Sequence, residues 1–170
     1  YNLPTTAPTA GTIAIVDAYD HPSIAADLAA YSTYYNLPPC TTANGCFRKV
    51  NQIGGTTPPA ANAGWALEIA LDVETAHAVC QNCKILLVEA SSASISDLGK
   101  AENEAVALGA NAISNSWGAN EYLGETSDER NYFIHPGVAI TASTGGNGYR
   151  TEFPAASQYV TAVGGTSLTP

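Results

Sequence analysis

Methionine is absent from these 170 residues, and charge is scarce. Charged side chains make up 12% of the chain although 45% of it is hydrophobic; ordinary soluble domains carry roughly 25% charged residues. The missing Met carries the expectation that the chain starts at Tyr1 through processing and is not an intact translation product. Basic residues are the scarcest: six Lys plus Arg face fifteen Asp plus Glu, a formal charge of −9. That balance argues against nucleic acid and anionic membrane as partners, since both want a basic patch. No apolar run approaches the roughly 18 residues of a membrane span, and no signal peptide is present, so a soluble protein is expected. Few bases also mean little self-repulsion in acid. With every carboxylate neutral, six Lys/Arg and three His leave a charge near +9 before the termini, a composition suited to acidic surroundings.

Other absences narrow the chemistry. The glycine pairs at 54–55, 145–146 and 164–165 lack the Lys and the spacing of a phosphate loop, which argues against nucleotide binding. No G-x-S-x-G nucleophile signature occurs. No repeat, low-complexity tract or linker divides the chain, so residues 1–170 are read as one domain, large enough to bury a core.

Cysteine is present as two close pairs, Cys40 with Cys46 and Cys80 with Cys83. Two short-range disulfides, Cys40–Cys46 and Cys80–Cys83, would imply an oxidising compartment and a secreted, extracellular protein. His77, Cys80 and Cys83 also spell an H-x2-C-x2-C half-site for zinc, but no fourth ligand follows at finger-like spacing. A redox role for CQNC fits less well, because the motif lies between a helix and a strand and not at a helix start. The disulfide reading is preferred, and no metal is assigned.

What is present alternates. TIAIVD (12–17), KILLVEA (84–90), AISNSW (112–117), VAITAS (138–143) and YVTAVGG (159–165) read as strands, with CFRKVNQ (46–52) a further candidate. SIAADLAAYSTYY (23–35), residues 65–79, ISDLGKAENEAVALG (95–109) and SDERNYFI (127–134) read as helices. Apolar strands separated by helices give an α/β fold, a doubly wound and mostly parallel sheet with helices on both faces. Ligands of such sheets collect beyond the carboxyl ends of the strands. Those ends are Asp17–Asp20, Glu89–Ser91, Asn115–Gly118 and Ser143–Gly148. The sequence stops at GGTSLTP just after a strand, so a sheet truncated at its C-terminus is expected.

GWALEIALDVE (64–74) holds the sharpest signal. Glu68 and Asp72 are four apart, so a helix stacks them on one face. Like charges at that spacing cost roughly 0.2–0.5 kcal/mol, and burial adds to it. The residues around them are apolar on nearly every side, which predicts a buried helix with Glu74 and His77 at its wetted end. A solvated edge would explain the two acids blandly. A carboxylate pair in a partly dry site would instead share a proton and serve as acid or base at low pH. His135 in the IHPG turn is expected to be structural, and His21 solvated.

YNLP at the start, TIAIVDAYD, GWALEIALDVETAHA, ISNSWG, HPGVAITAS and FPAASQYVTAVGGTSL together resemble the sedolisin family of serine-carboxyl peptidases, acid-acting relatives of subtilisin. The resemblance runs over essentially the whole chain and implies a subtilisin-like fold. It implies that Glu68 is the general base that activates a Ser and that Asp72 supports it. Chemistry agrees: a His base would be protonated in acid, whereas a carboxylate still accepts a proton there. By the same resemblance Asp17 extends the network, and Ser116, Trp117 and Gly118 line the substrate strand. The start at YNLP matches a chain that has lost a pro-segment.

Two positions depart from the family. Its oxyanion Asp falls on Gly146 of STGGNG; Asn147 follows and could donate if the loop shifts by one residue. Losing one such donor costs about 10²–10³ in rate. The family's nucleophile lies in an S-G-T-S segment beyond position 170, near a calcium-binding loop that this chain also lacks. Ser167 matches the family's V-G-G-T-x-L strand end and is not the nucleophile. The expected function is therefore part of a secreted, acid-acting endopeptidase on protein or peptide substrates, its Ser on a missing or second chain. The alternative is an inactive peptidase-fold subunit that self-associates. No cofactor is assigned to this chain, although the resemblance implies calcium elsewhere.

Overall fold

Apolar runs and helical periods organise the chain around one parallel sheet. The structure, a computed structural model, describes residues 4–7 and 10–167. Most of the YNLP start and the last three residues of GGTSLTP lie outside the described residues. The main elements are β1 (Thr12–Ala18), α1 (Ile24–Tyr34), β2 (Phe47–Asn51), α2 (Ala63–Val79), β3 (Lys84–Ala90) and α3 (Ile95–Ala107). There follow β4 (Ala112–Asn115), β5 (Ala119–Asn120), α4 (Glu125–Tyr132), β6 (Ala139–Ser143), β7 (Glu152–Phe153) and β8 (Thr161–Val163). Six strands form the sheet in the order β2-β3-β1-β4-β6-β8, every neighbouring pair parallel. β5 and β7 make a small antiparallel pair, which the sequence pattern did not reveal.

The period-two alternation of β1 sorts its side chains. Ala14, Val16 and Ala18 join Leu98, Ala101 and Ala105 of α3 and Val88 and Ile113 of the sheet in one core. Ile15 faces the other way, with Ile24 and Leu28 of α1, Ile69 and Val73 of α2, and Ile85 and Leu87. Asp17 has the parity of Ile15 and so points at α2. That single consequence of strand geometry places an acid beside the two acids of the helix.

α2 starts where Asn62, in extended backbone, accepts hydrogen bonds from the N–H groups of Gly64 and Trp65. It is not buried all round. Leu67 and Leu71 are 76% and 58% exposed, because the helix lies on the sheet and only the Ile69–Val73–His77 stripe meets it. His77, expected to be wetted, is fully buried, its Nε2 2.8 Å from the Pro38 carbonyl oxygen. His21 is paired as well, 2.9 Å from Asp27. His135 bonds the Tyr132 carbonyl within its own turn, a local structural contact.

Both cysteine pairs are disulfides, Cys40–Cys46 and Cys80–Cys83, and no free Cys remains among the described residues. The zinc reading fails, since the thiolates that a metal would need are consumed. Among the described residues no helix is long and apolar enough to cross a membrane.

α3 and α4 touch closely at Gly99. A Cβ there would overlap the ring of Tyr132. Gly→Ala inside a helix ordinarily stabilises by about 1 kcal/mol, but overpacking costs about 1–3 kcal/mol. Gly99→Ala should therefore lower the urea midpoint, and Gly99→Ala with Tyr132→Ala should lose less than the sum of the two. Additive effects would show that the contact does not limit the packing.

Candidate active site

The cleft opens above the carboxyl ends of β1, β3 and β4. Tyr19, Asn62, Gly64, Trp65, Glu68, Ala93 and Ser116 line a volume of about 510 Å³. Tyr19 turns the chain out of β1 at φ 64°, a left-handed conformation uncommon for a residue with a side chain. Its N–H donates to the Ala90 carbonyl, and its ring stands 6.4 Å from that of Trp65. The two aromatics and the Asn62 cap form one side of the cleft, and Glu68, one turn further along α2, looks into it.

Behind Glu68 the site becomes dry and acidic. Asp72 has one carboxylate oxygen buried without a hydrogen-bond partner. Its pKa is pushed up to about 6, first by burial and further by the charge of Glu68, while the Ser116 hydroxyl opposes the shift. Asp17 lies deeper, fully buried with neither oxygen hydrogen-bonded. Burial raises its pKa well above the usual carboxylate range, and Asp72, Glu68 and Glu89 add to the shift. Burial and mutual repulsion both favour the protonated forms of Asp72 and Asp17.

Glu89 completes the cluster. Parallel pairing sets Asp17 directly opposite Glu89 on the next strand. Burial raises the Glu89 pKa to about 7, against the His21 N–H and the Lys49 ammonium, which both favour its charged form. His21 N donates to Oε1 at 3.2 Å, and Lys49 Nζ lies 3.5 Å from the same oxygen. Lys49 also pairs with Asp20. It is the one cation ion-paired with this group among the described residues. An acid ending the apolar run KILLVEA marked Glu89 as a strand end, but its pairing with Asp17 depends on register.

The structure thus gathers Glu68, Asp72, Asp17 and Ser116. Trp117 goes elsewhere: its side chain is buried in the α3-side core and its Nε1 donates to the Val16 carbonyl at 2.9 Å. Only its backbone is left to meet a ligand. Gly118 is exposed at the same edge. Gly146 and Asn147 lie in the loop after β6, the strand beside β4. Gly146 has open space where a side chain would stand, and the Asn147 amide donates to Glu152 at 2.9 Å. Glu152 has no signal in the sequence, where a lone acid before Phe153 has no distinguishing spacing. Ser167 is exposed, beyond β8.

No family model matches the sequence, and no curated protein matches it. Solved structures do match. A Pseudomonas sedolisin, a serine-carboxyl proteinase complexed with pseudo-iodotyrostatin, superposes with a TM-score of 0.79 at 21% identity, covering 98% of this chain and 53% of that one. A mutant of the PatA protease domain matches with a TM-score of 0.57 at 19% identity over 91% of this chain and 58% of that one. A lanthipeptide protease gives 0.57 at 16% identity, with 89% and 47% covered. The chain has the sedolisin- and subtilisin-like peptidase fold, and it spans about half the length of these solved structures.

The acid cluster makes stability depend on pH. Glu102 of α3 adds to it from the other face, fully buried, its pKa raised by burial to about 8 although the neighbouring Asn115 side chain opposes. Asp17, Asp72, Glu89 and Glu102 hold protons more tightly folded than unfolded, so stability falls as pH rises. Their contribution is complete below the unfolded carboxylate range near pH 4 and is lost as pH passes about 6, 7 and 8 for Asp72, Glu89 and Glu102. Urea midpoints should decline over that window, and Glu102→Gln should flatten its alkaline end. A midpoint that holds level or rises to pH 8 would contradict the account.

Proposed function

We propose, from the sedolisin- and subtilisin-like fold, that this chain carries the acid–base half of a secreted, acid-acting serine-carboxyl endopeptidase. The observation that carries the reading is the continuous line of carboxyl groups from the cleft inward, Glu68, then Asp72, then Asp17. Glu68 is the general base. It takes the proton of an attacking Ser hydroxyl as that oxygen adds to the scissile carbonyl carbon, then returns it to the leaving amine. Asp72, protonated at low pH, donates to Glu68 and orients it; Asp17 supports Asp72 from behind. The backbone from Ser116 to Gly118 offers a strand edge to an extended peptide. The nucleophilic Ser comes from outside these residues, on the same polypeptide or on a partner chain. Two disulfides and the absence of a membrane-spanning helix among the described residues accord with secretion.

A second reading rests on Gly146, which leaves the expected acid of the oxyanion slot unfilled. On it the protein is an inactive subunit that self-associates, and a neutral-pH oligomer without hydrolysis at any pH would favour it.

The test is hydrolysis of denatured protein from pH 3 to 8 by the native, full-length protein. Glu68→Gln should cost about 10²–10⁴ in kcat. Activity should fall as pH rises through about 6, where Asp72 loses its proton and its donor role. Asp72→Asn keeps a donor at every pH, so its slower activity should persist to higher pH. Hydrolysis indifferent to Glu68 would overturn the reading.

A further inference from the structure

A second groove runs between α1 and α2 and shares no lining residue with the cleft. Asp27, Ala30, Tyr31, Tyr34, Tyr35 and Glu74 border a volume of about 400 Å³ there. The tyrosines come from YSTYY (31–35), where the last turn of α1 brings positions three and four apart onto one side. The Tyr35 ring centroid is 4.6 Å from that of Tyr31 at 52° and 4.8 Å from that of Tyr34 at 80°. Tilted and edge-on contacts of this kind leave ring faces uncovered, and Tyr34 and Tyr35 are 82% and 57% exposed. A single exposed apolar side chain is ordinary, but a cluster of rings along a groove calls for a reason.

The charge of the groove is one-sided. Asp27 is already engaged, accepting from Ser23 Oγ at 3.0 Å and lying 2.9 Å from His21 Nε2. Glu74 borders the groove from α2, half-buried, and no cation is ion-paired with it among the described residues. Burial raises its pKa, Asp27 adds to the shift and His21 opposes it. The last turn of α1 carries no basic residue, so the negative end of its dipole is unanswered beside Tyr34 and Tyr35. Ring faces, an unpaired carboxylate and a helix C-terminus all attract a cation, and none of the chain's own Lys or Arg side chains lines the groove. We propose that this groove binds an organic cation, the basic side chain of Lys or Arg on a partner peptide. Its methylenes lie along Ala30 and the rings, and its N–H groups donate to Glu74. A quaternary ammonium has no such donor. The proposal does not rest on the peptidase reading.

The experiment follows tyrosine ring resonances by NMR in the full-length protein at pH 7 as butylammonium or butylguanidinium is added. Sodium chloride and 1-butanol serve as the inorganic and the uncharged controls. Both organic cations should give saturable shifts, and neither control should. Tyr34→Leu and Tyr35→Leu, which keep apolar bulk without a ring, should each weaken binding about 2- to 5-fold, and Glu74→Gln by a like factor. Affinity should also fall in acid as Glu74 takes up a proton, a dependence that Glu74→Gln should lose. Tyr34 is so exposed that its replacement leaves the fold intact. Equal shifts with 1-butanol would show an apolar groove and overturn the proposal. So would the absence of saturation, or shifts that survive in the Tyr34→Leu, Glu74→Gln double variant. Tighter binding of tetramethylammonium, which cannot donate to Glu74, would overturn the assignment to a basic side chain.

Discussion

Repulsion and desolvation among carboxyl groups at the carboxyl edge of the sheet govern the site. Asp17 and Glu89 are opposite one another on adjacent strands, and α2 lays Asp72 and Glu68 over them. Lys49 answers part of the charge, from the Glu89 and Asp20 side. A set of this kind is stable only when it keeps protons, and keeping protons is what carboxyl groups must do to work as donors and shared acid–base pairs in acid. On the proposed function, the feature expected to weaken the fold at neutral pH is also the one that equips the site. Low charge elsewhere is consistent with this, since a chain with few bases does not repel itself in acid.

The apolar core on each side of the sheet is what permits the arrangement. Ile69 and Val73 fix α2 on Ile15, Ile85 and Leu87, and this packing holds the acids of α2 over β1. On the opposite face, α3 brings Glu102 beside Asn115, one residue before Ser116. The sheet is therefore flanked by a buried acid on both sides of the same strand end.

The loop after β6 shows how a glycine-rich stretch is given a shape. Gly145 and Gly118 hold space, Glu152 fills it, and Asn147 closes the loop on Glu152. None of these residues is distinctive alone. Their relation depends on β5 and β7, two-residue strands too short to carry a hydrophobic period.

Local rules made much of the molecule legible. Alternating apolar runs marked the six strands of the sheet, and the i, i+4 rule put Glu68 and Asp72 on one face because a helix fixes its own internal geometry. Strand parity puts Asp17 on the face of Ile15 once the bounds of β1 are known. Other features were decided by distant parts of the chain. α2 was read as buried all round, but only contact with the sheet could show that Leu67 and Leu71 face outward while His77 is enclosed. The pairing of Asp17 with Glu89 required the register of two strands, and the burial of the Trp117 side chain required α3 beneath it. By itself the sequence determined spacing within each element, which is set by backbone geometry. The tertiary structure decided depth, partnership and protonation, which depend on what residues far apart in the chain exclude from water.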